Sequence, residues 1–140
     1  MASFNKFNAF VADAANGVHN LGVNTLKILL TNVAPVATNA VNADVTEIAA
    51  GNGYTAGGNV CALTSSAQTA GLYKLVLATP ATWTAAGGAI GPLRYAVLYN
   101  STAAAGNLIG WWDYGSSVTL GSGETFTATL DATNGVVQLT

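Results

Sequence analysis

From Thr25 onward the apolar side chains recur at every second residue, in short runs separated by Gly, Pro or Asn. That period belongs to strands with one buried face and leaves little room for a helical fold. Residues 25–31 (TLKILLT) put Leu26, Ile28 and Leu30 on one face, with Lys27 and Thr31 on the other. Residues 73–78 (YKLVLA) set Tyr73, Leu75 and Leu77 against Lys74, Val76 and Ala78, and residues 94–99 (RYAVLY) set Tyr95, Val97 and Tyr99 apart in the same way. Residues 108–114 (LIGWWDY), 117–120, 125–130 and 136–139 follow at short spacing. Turn signals stand between them at Gly87-Gly88, Gly91-Pro92, residues 100–107, Gly121-Ser122-Gly123 and Asn134-Gly135. Six or more short strands with no alternating helix predict a mainly β chain, an antiparallel β-sandwich or jelly-roll-like single domain over 1–140.

Two segments depart from this rhythm. In residues 4–15, Phe4, Phe7, Phe10 or Val11, and Ala14 recur three and four apart, which predicts a short N-terminal helix. Ser3 is placed to cap it and Asn16-Gly17 to end it. Residues 32–68 are rich in Ala, Asn, Thr and Gly, with only weak periodicity. A single helical turn is expected at 44–48, and tight turns at Gly51-Asn52-Gly53-Tyr54 and Gly57-Gly58-Asn59. A loop of that length inside a small domain reads as an extended arm that reaches a neighbouring molecule.

Charge narrows the function. Of 140 residues, four are Lys or Arg and six are Asp or Glu, or 7 %, against about 25 % in an ordinary soluble domain. Neutral Thr, Asn and Ser supply the polarity instead, and a surface of that kind packs against other copies while desolvating few charges. Lys6, Lys27, Lys74 and Arg94 are well separated, so no basic stripe offers itself to phosphates and nucleic acid is not an expected partner. With 51 % hydrophobic residues the chain can repay its ordering entropy, and no apolar run approaches the length of a membrane span. The opening residues lack the basic and apolar regions of a secretory signal, so synthesis in a cytoplasm is expected.

No catalytic constellation emerges. His19 is the only histidine and lies between Gly17 and Gly22, with no nucleophile elbow anywhere, so it reads as a turn or interface residue. Cys61 is the only cysteine and reads as a buried, inert thiol. The glycines of 51–58 lack the Lys-Ser/Thr pair of a phosphate loop. The most suggestive cluster is Trp111, Trp112, Asp113 and Tyr114, where alternation puts Trp111 and Asp113 on one face and Trp112 and Tyr114 on the other. One face packs in the core and the other against a neighbouring subunit in the simpler reading; in the second, Trp111 and Asp113 bind a sugar by stacking and hydrogen bonding. A one-residue slip in register exchanges the two faces, so the sequence leaves open which is inward. Trp83, Trp111, Trp112, Asp113 and Tyr114 are therefore the candidate interface or glycan-contact residues, aromatics being the usual anchors of interfaces. No catalytic residue, cofactor or metal is expected.

Three stretches together resemble a family of small β-rich virion proteins of tailed bacteriophages. They are FNKFNAFVADAANGVHNLG followed by TLKILLTNVAP; ADVTEIAAGNGYTAGG, which is similar to an (acidic)-(Val/Ile)-x-Glu-(Ile/Val)-x-x-Gly-x-Gly-Tyr stretch; and GPLRYAVLYN followed by LIGWWDYGSSVTLGSGETFTATLDATNGVV. The resemblance implies a structural virion component made in the bacterial host cytoplasm, and members of the family range from tail-fibre to head-decoration proteins. The chain is short and has no repetitive shaft sequence, which favours a capsid cement or decoration protein on the capsid surface. Its expected partners are itself, as a homotrimer, and the major capsid protein. A tail-fibre or tail-tip component binding a host surface glycan is the second expectation, and a tail-tube or connector subunit the third.

Overall fold

The computed structural model describes residues 2–140 as an antiparallel, mainly β chain with one α-helix. Its largest sheet has five strands in the order β1 (Phe4–Lys6), β8 (Leu108–Leu120), β7 (Ile90–Asn100), β2 (Leu26–Thr31) and β3 (Asn59–Cys61). A three-stranded sheet runs β10 (Val137–Leu139), β5 (Leu72–Leu77) and β4 (Leu63–Thr69). β6 (Trp83–Thr84) and β9 (Thr125–Phe126) form a short third pair. The residues that alternate in sequence are the ones that pair: Leu26 to Thr31 lie opposite Asn100 to Tyr95 without a break.

The large sheet buries both of its faces, which explains why β2 is apolar at consecutive positions. Leu26, Ile28 and Leu30 of β2, Ala96 and Leu98 of β7, and Ile109 and Trp112 of β8 join Leu75, Leu77, Trp83, Leu130 and Val137 in one core drawn from all three sheets. On the other side Leu29, Val97, Tyr99 and Leu108 meet Phe7, with Val45 and Trp111 packed around them. Lys27 and Thr31 share that second face with Leu29, so it is not a solvent face.

The N-terminal segment is shorter in helix than its spacing predicts. Phe4 to Lys6 pair with Trp112 to Gly110 as β1, and helix α1 covers only Asn8–Ala15. Phe7 stands at the cap position with no side-chain hydrogen bond, so Ser3 does not cap the helix. The edge of β8 offers backbone partners to residues 4–6, and sheet pairing there overrides the helical spacing of the phenylalanines. At the far end the helix stops as expected: Gly17 takes φ +80° and Val18 N–H returns to the Asp13 carbonyl at 2.9 Å.

Residues 108–120 form one bent strand rather than two, with Gly115 at φ +91° inside it. Of residues 125–130, only Thr125 and Phe126 pair as strand. The expected arm is also different. Residues 32–58 lie against the chain's own body, tied to the start of α1 by Asn8 N–H to Ala37 O and to the large sheet by Leu108 N–H to Ala40 O and Ile48 N–H to Leu30 O, at 2.9 to 3.1 Å. Asn42–Asp44 form a single 3₁₀ turn, and residues 59–69 supply β3 and β4.

Candidate functional site

The five residues singled out from sequence do not form one patch. Trp83 is buried in the core between Tyr54 and Phe126, ring centroids 6.4 and 6.0 Å away. Trp112 is buried against Phe4 at 5.2 Å, and Tyr114 meets Phe126 edge-on at 5.1 Å. Trp112 and Tyr114 thus belong to the inward face, and Trp83 and Trp112 have no surface to offer a neighbour. Strand pairing sets this register: Trp112 lies opposite both Phe4 and the buried Ala96.

Trp111 and Asp113 lie on the other face, yet both are already engaged. Trp111 packs on Phe7 with the rings tilted by 44° and their centroids 4.5 Å apart, and is half-buried. Asp113 takes both arms of the Arg94 guanidinium, Nε to Oδ1 at 2.8 Å and Nη2 to Oδ2 at 3.1 Å, and accepts Gly115 N–H at 2.8 Å. The Arg94 pair, then the Gly115 amide, hold the Asp113 pKa below the usual carboxylate range. Arg94 itself lies over the Tyr95 ring, 5.3 Å from its centroid. This is the one ion pair among the described residues.

The ADVTEIAAGNGYTAGG stretch is built as a latch. Asp44 Oδ2 accepts the amides of Ala40 and Val41 at 2.9 and 3.1 Å, and those bonds lower its pKa. Glu47 Oε1 accepts the Tyr54 hydroxyl and the Gly57 amide, both at 2.6 Å. Gly51 and Gly53 both take positive φ, and the Gly51–Tyr54 turn closes with Tyr54 N–H to Gly51 O at 3.1 Å. A side chain at Gly53 would overlap the Thr84 carbonyl. The hydrogen bonds of Asp44, Glu47 and Tyr54 named here are all made inside the chain, which makes the stretch a fastening.

His19 sits in a second internal network that sequence spacing did not reveal. Asn100 is fully buried, and its Oδ1 accepts the amides of Thr102 and Ala103 at 3.0 and 3.2 Å. Its amide nitrogen therefore faces Asn24 Oδ1 at 2.9 Å and His19 Nδ1 at 3.1 Å. An amide nitrogen only donates, so Nδ1 accepts and the imidazole proton resides on Nε2. The ring packs on Phe10 at 5.3 Å and lines an open groove of about 490 Å³ with Tyr73, Ser66 and Leu139. Burial lowers the His19 pKa, while the Asp13 carboxylate opposes the shift. Cys61 is buried in the core, and burial pushes its thiol up to about 12.

Among the described residues, no three His, Cys, Asp or Glu side chains gather as metal ligands would. No helix of the structure is long and apolar enough to cross a membrane. No family model, curated protein or solved structure matches the chain.

Proposed function

We propose that this chain is a non-enzymatic structural protein of a tailed-phage virion, a capsid cement or decoration protein that binds the outer head surface and stabilises contacts between neighbouring capsomers. Its body is a rigid, sandwich- or jelly-roll-like β domain, and its partners are copies of itself, as a trimer, and the major capsid protein. The observation that supports this reading most is the surface. Ten charged residues spread over 6613 Å² leave roughly one per 660 Å², with one ion pair among the described residues. Large apolar side chains stand out between them, Val23 at 77 % exposure, Val36 at 57 % and Val33 at 55 %. A surface so sparsely charged suits permanent burial against protein better than solitary life in solution. Val33 and Val36 put two exposed apolar side chains within four residues of the expected arm, and residues 33–36 (VAPV) are the contact we assign to a neighbouring capsomer.

Asp44, Glu47, Tyr54, Trp111 and Asp113 are engaged in holding the fold together. That favours a mechanical role over catalysis, and it weakens the glycan reading because Trp111 and Asp113 are already engaged by Phe7 and Arg94. Particles assembled without the chain test the reading. Their heads should release DNA at a lower temperature than complete particles, and added recombinant protein should restore the difference. An unchanged release temperature overturns the cement role.

A further inference from the structure

We propose that β4 is a self-pairing edge, through which two copies of the chain join antiparallel about a twofold axis at Ala67. The proposal deepens the assembly reading and rests on it, since it names the partner and the contact. β4 ends the three-stranded sheet, with β5 on one side and no strand on the other among the described residues. Its seven residues, LTSSAQT, are exposed along nearly their whole length and contain no charge and no proline. Protein edges are ordinarily blunted by lysine, proline, a bulge or a covering segment. Here the only such device is the register shift between Leu63 and Ser65, which leaves Ser65 to Thr69 regular and centred on Ala67.

The direction of the free backbone groups follows from the neighbouring strand. Leu75 gives its carbonyl to Val136 N–H at 2.7 Å, on the β10 side of β5. Leu75 therefore does not exchange bonds with Ser66, its opposite residue in β4. Ser66, and by alternation Gln68, turn their backbone N–H and C=O groups outward to the open edge. These two residues flank Ala67 symmetrically. An antiparallel second copy centred on Ala67 thus sets Ser66 opposite Gln68 of the other copy, twice, and satisfies four backbone hydrogen bonds. The side-chain pairs across the axis are Ala with Ala, Ser with Thr and Ser with Gln, all small or neutral.

Charge does not oppose the contact. The nearest cation in the sheet is Lys74, which lies opposite Ala67 on β5. In the joined six-stranded sheet the two Lys74 residues stand three strand spacings apart, about 14 Å, beyond the screening length of roughly 8 Å in physiological salt. The regular stretch is only about 17 Å long, so the contact falls in the small, transient class of interfaces. A lattice of bound copies multiplies such a contact by avidity, which is the setting that the assembly reading supplies.

Three forms of the full chain test this. Sedimentation velocity from about 10 μM to about 1 mM should show a reversible pairwise step of the natural sequence, monomer to dimer or, where the threefold contact of the assembly reading also forms, trimer to hexamer. Ala67→Lys puts two cations face to face on the axis and should weaken association roughly tenfold or more, with an unchanged circular dichroism spectrum. Ala67→Cys should form a disulfide-linked dimer under mild oxidant, because facing Cα atoms at a position without hydrogen bonds lie about 4.5 Å apart, within disulfide range. Ser122→Cys, at an exposed turn, is the control and should link far more slowly. Association that survives Ala67→Lys, with Ala67→Cys linking no faster than the control, overturns the edge and leaves the assembly reading standing. A chain that stays monomeric throughout, with no preferential linking of Ala67→Cys, also overturns the edge, and the assembly reading is then decided by the particles themselves.

Discussion

The Tyr54 hydroxyl joins two distant parts of the chain: it donates to Glu47 Oε1 at 2.6 Å and accepts the Leu30 N–H at 3.0 Å. Burial, together with the Glu47 carboxylate, pushes its pKa well above the usual tyrosine range. Through this one oxygen the glycine-rich stretch is fastened to the central strand β2. Tyr54→Phe keeps the ring and removes both bonds, leaving a buried amide without a partner. The cost should be about 1–3 kcal/mol, read as a lower denaturation midpoint with an unchanged slope against urea.

Gly58 and Gly115 separate two roles of glycine. Both have positive φ, +76° and +91°. A side chain at Gly58 would overlap the Ile28 carbonyl, whereas one at Gly115 meets nothing within 4 Å. Gly115→Ala should therefore cost only its backbone strain, about 1 kcal/mol, while Gly58→Ala adds displacement of β3 from β2 and should cost several-fold more. Thermal unfolding of the two variants measures the difference.

Trp83 should matter to stability and Trp111 much less. Trp83 is 1 % exposed, and truncating such a residue to alanine leaves a large cavity, at about 3–5 kcal/mol. Trp111→Ala removes a half-buried ring from Phe7 and should cost less than half as much. Trp83 Nε1 has no hydrogen-bond partner among the described residues, so Trp83→Phe loses volume but no bond and should be milder than Trp83→Ala. Chemical denaturation ranks the three.

His19 should make the fold acid-sensitive from about pH 6.5 downward. Its folded pKa is lowered, so below 6.5 the unfolded chain takes up a proton that the folded chain resists. Stability therefore falls as pH drops below 6.5 and levels off once pH passes the folded value. Protonation of Nδ1 would also set an N–H against the Asn100 amide. His19→Gln keeps an acceptor for Asn100 and should abolish this slope. Asp44, Asp113 and Asp131 have lowered pKa values, so their contribution is complete above about 3.8 and disappears only as pH falls through their folded values. Unfolding free energy measured at intervals between pH 8 and pH 3 separates the two windows.

The strands were legible where one face is apolar and the alternation long: β2, β5, β7 and the first half of β8 lie where the period-two pattern puts them. β4 was not legible, because LTSSAQT is exposed on both faces and has no apolar face to alternate. The helical spacing of Phe4, Phe7 and Phe10 misled at its start, since Phe4 pairs with Trp112 as sheet. Aromatic type alone does not distinguish a core ring such as Trp83 from a half-buried one such as Trp111. Glu47 and Tyr54 lay in plain view within the ADVTEIAAGNGYTAGG stretch, but their meeting depends on the turn at Gly51 and Gly53, which spacing alone does not fold. The His19–Asn100 bond joins residues 81 positions apart and left no local signal at all.

Immunogold labelling of purified phage particles, with antibody raised against the recombinant chain, tests the central claim most directly. Gold spread over the heads is the result that a capsid cement protein predicts. Gold confined to tails, or particles left unlabelled, would contradict it.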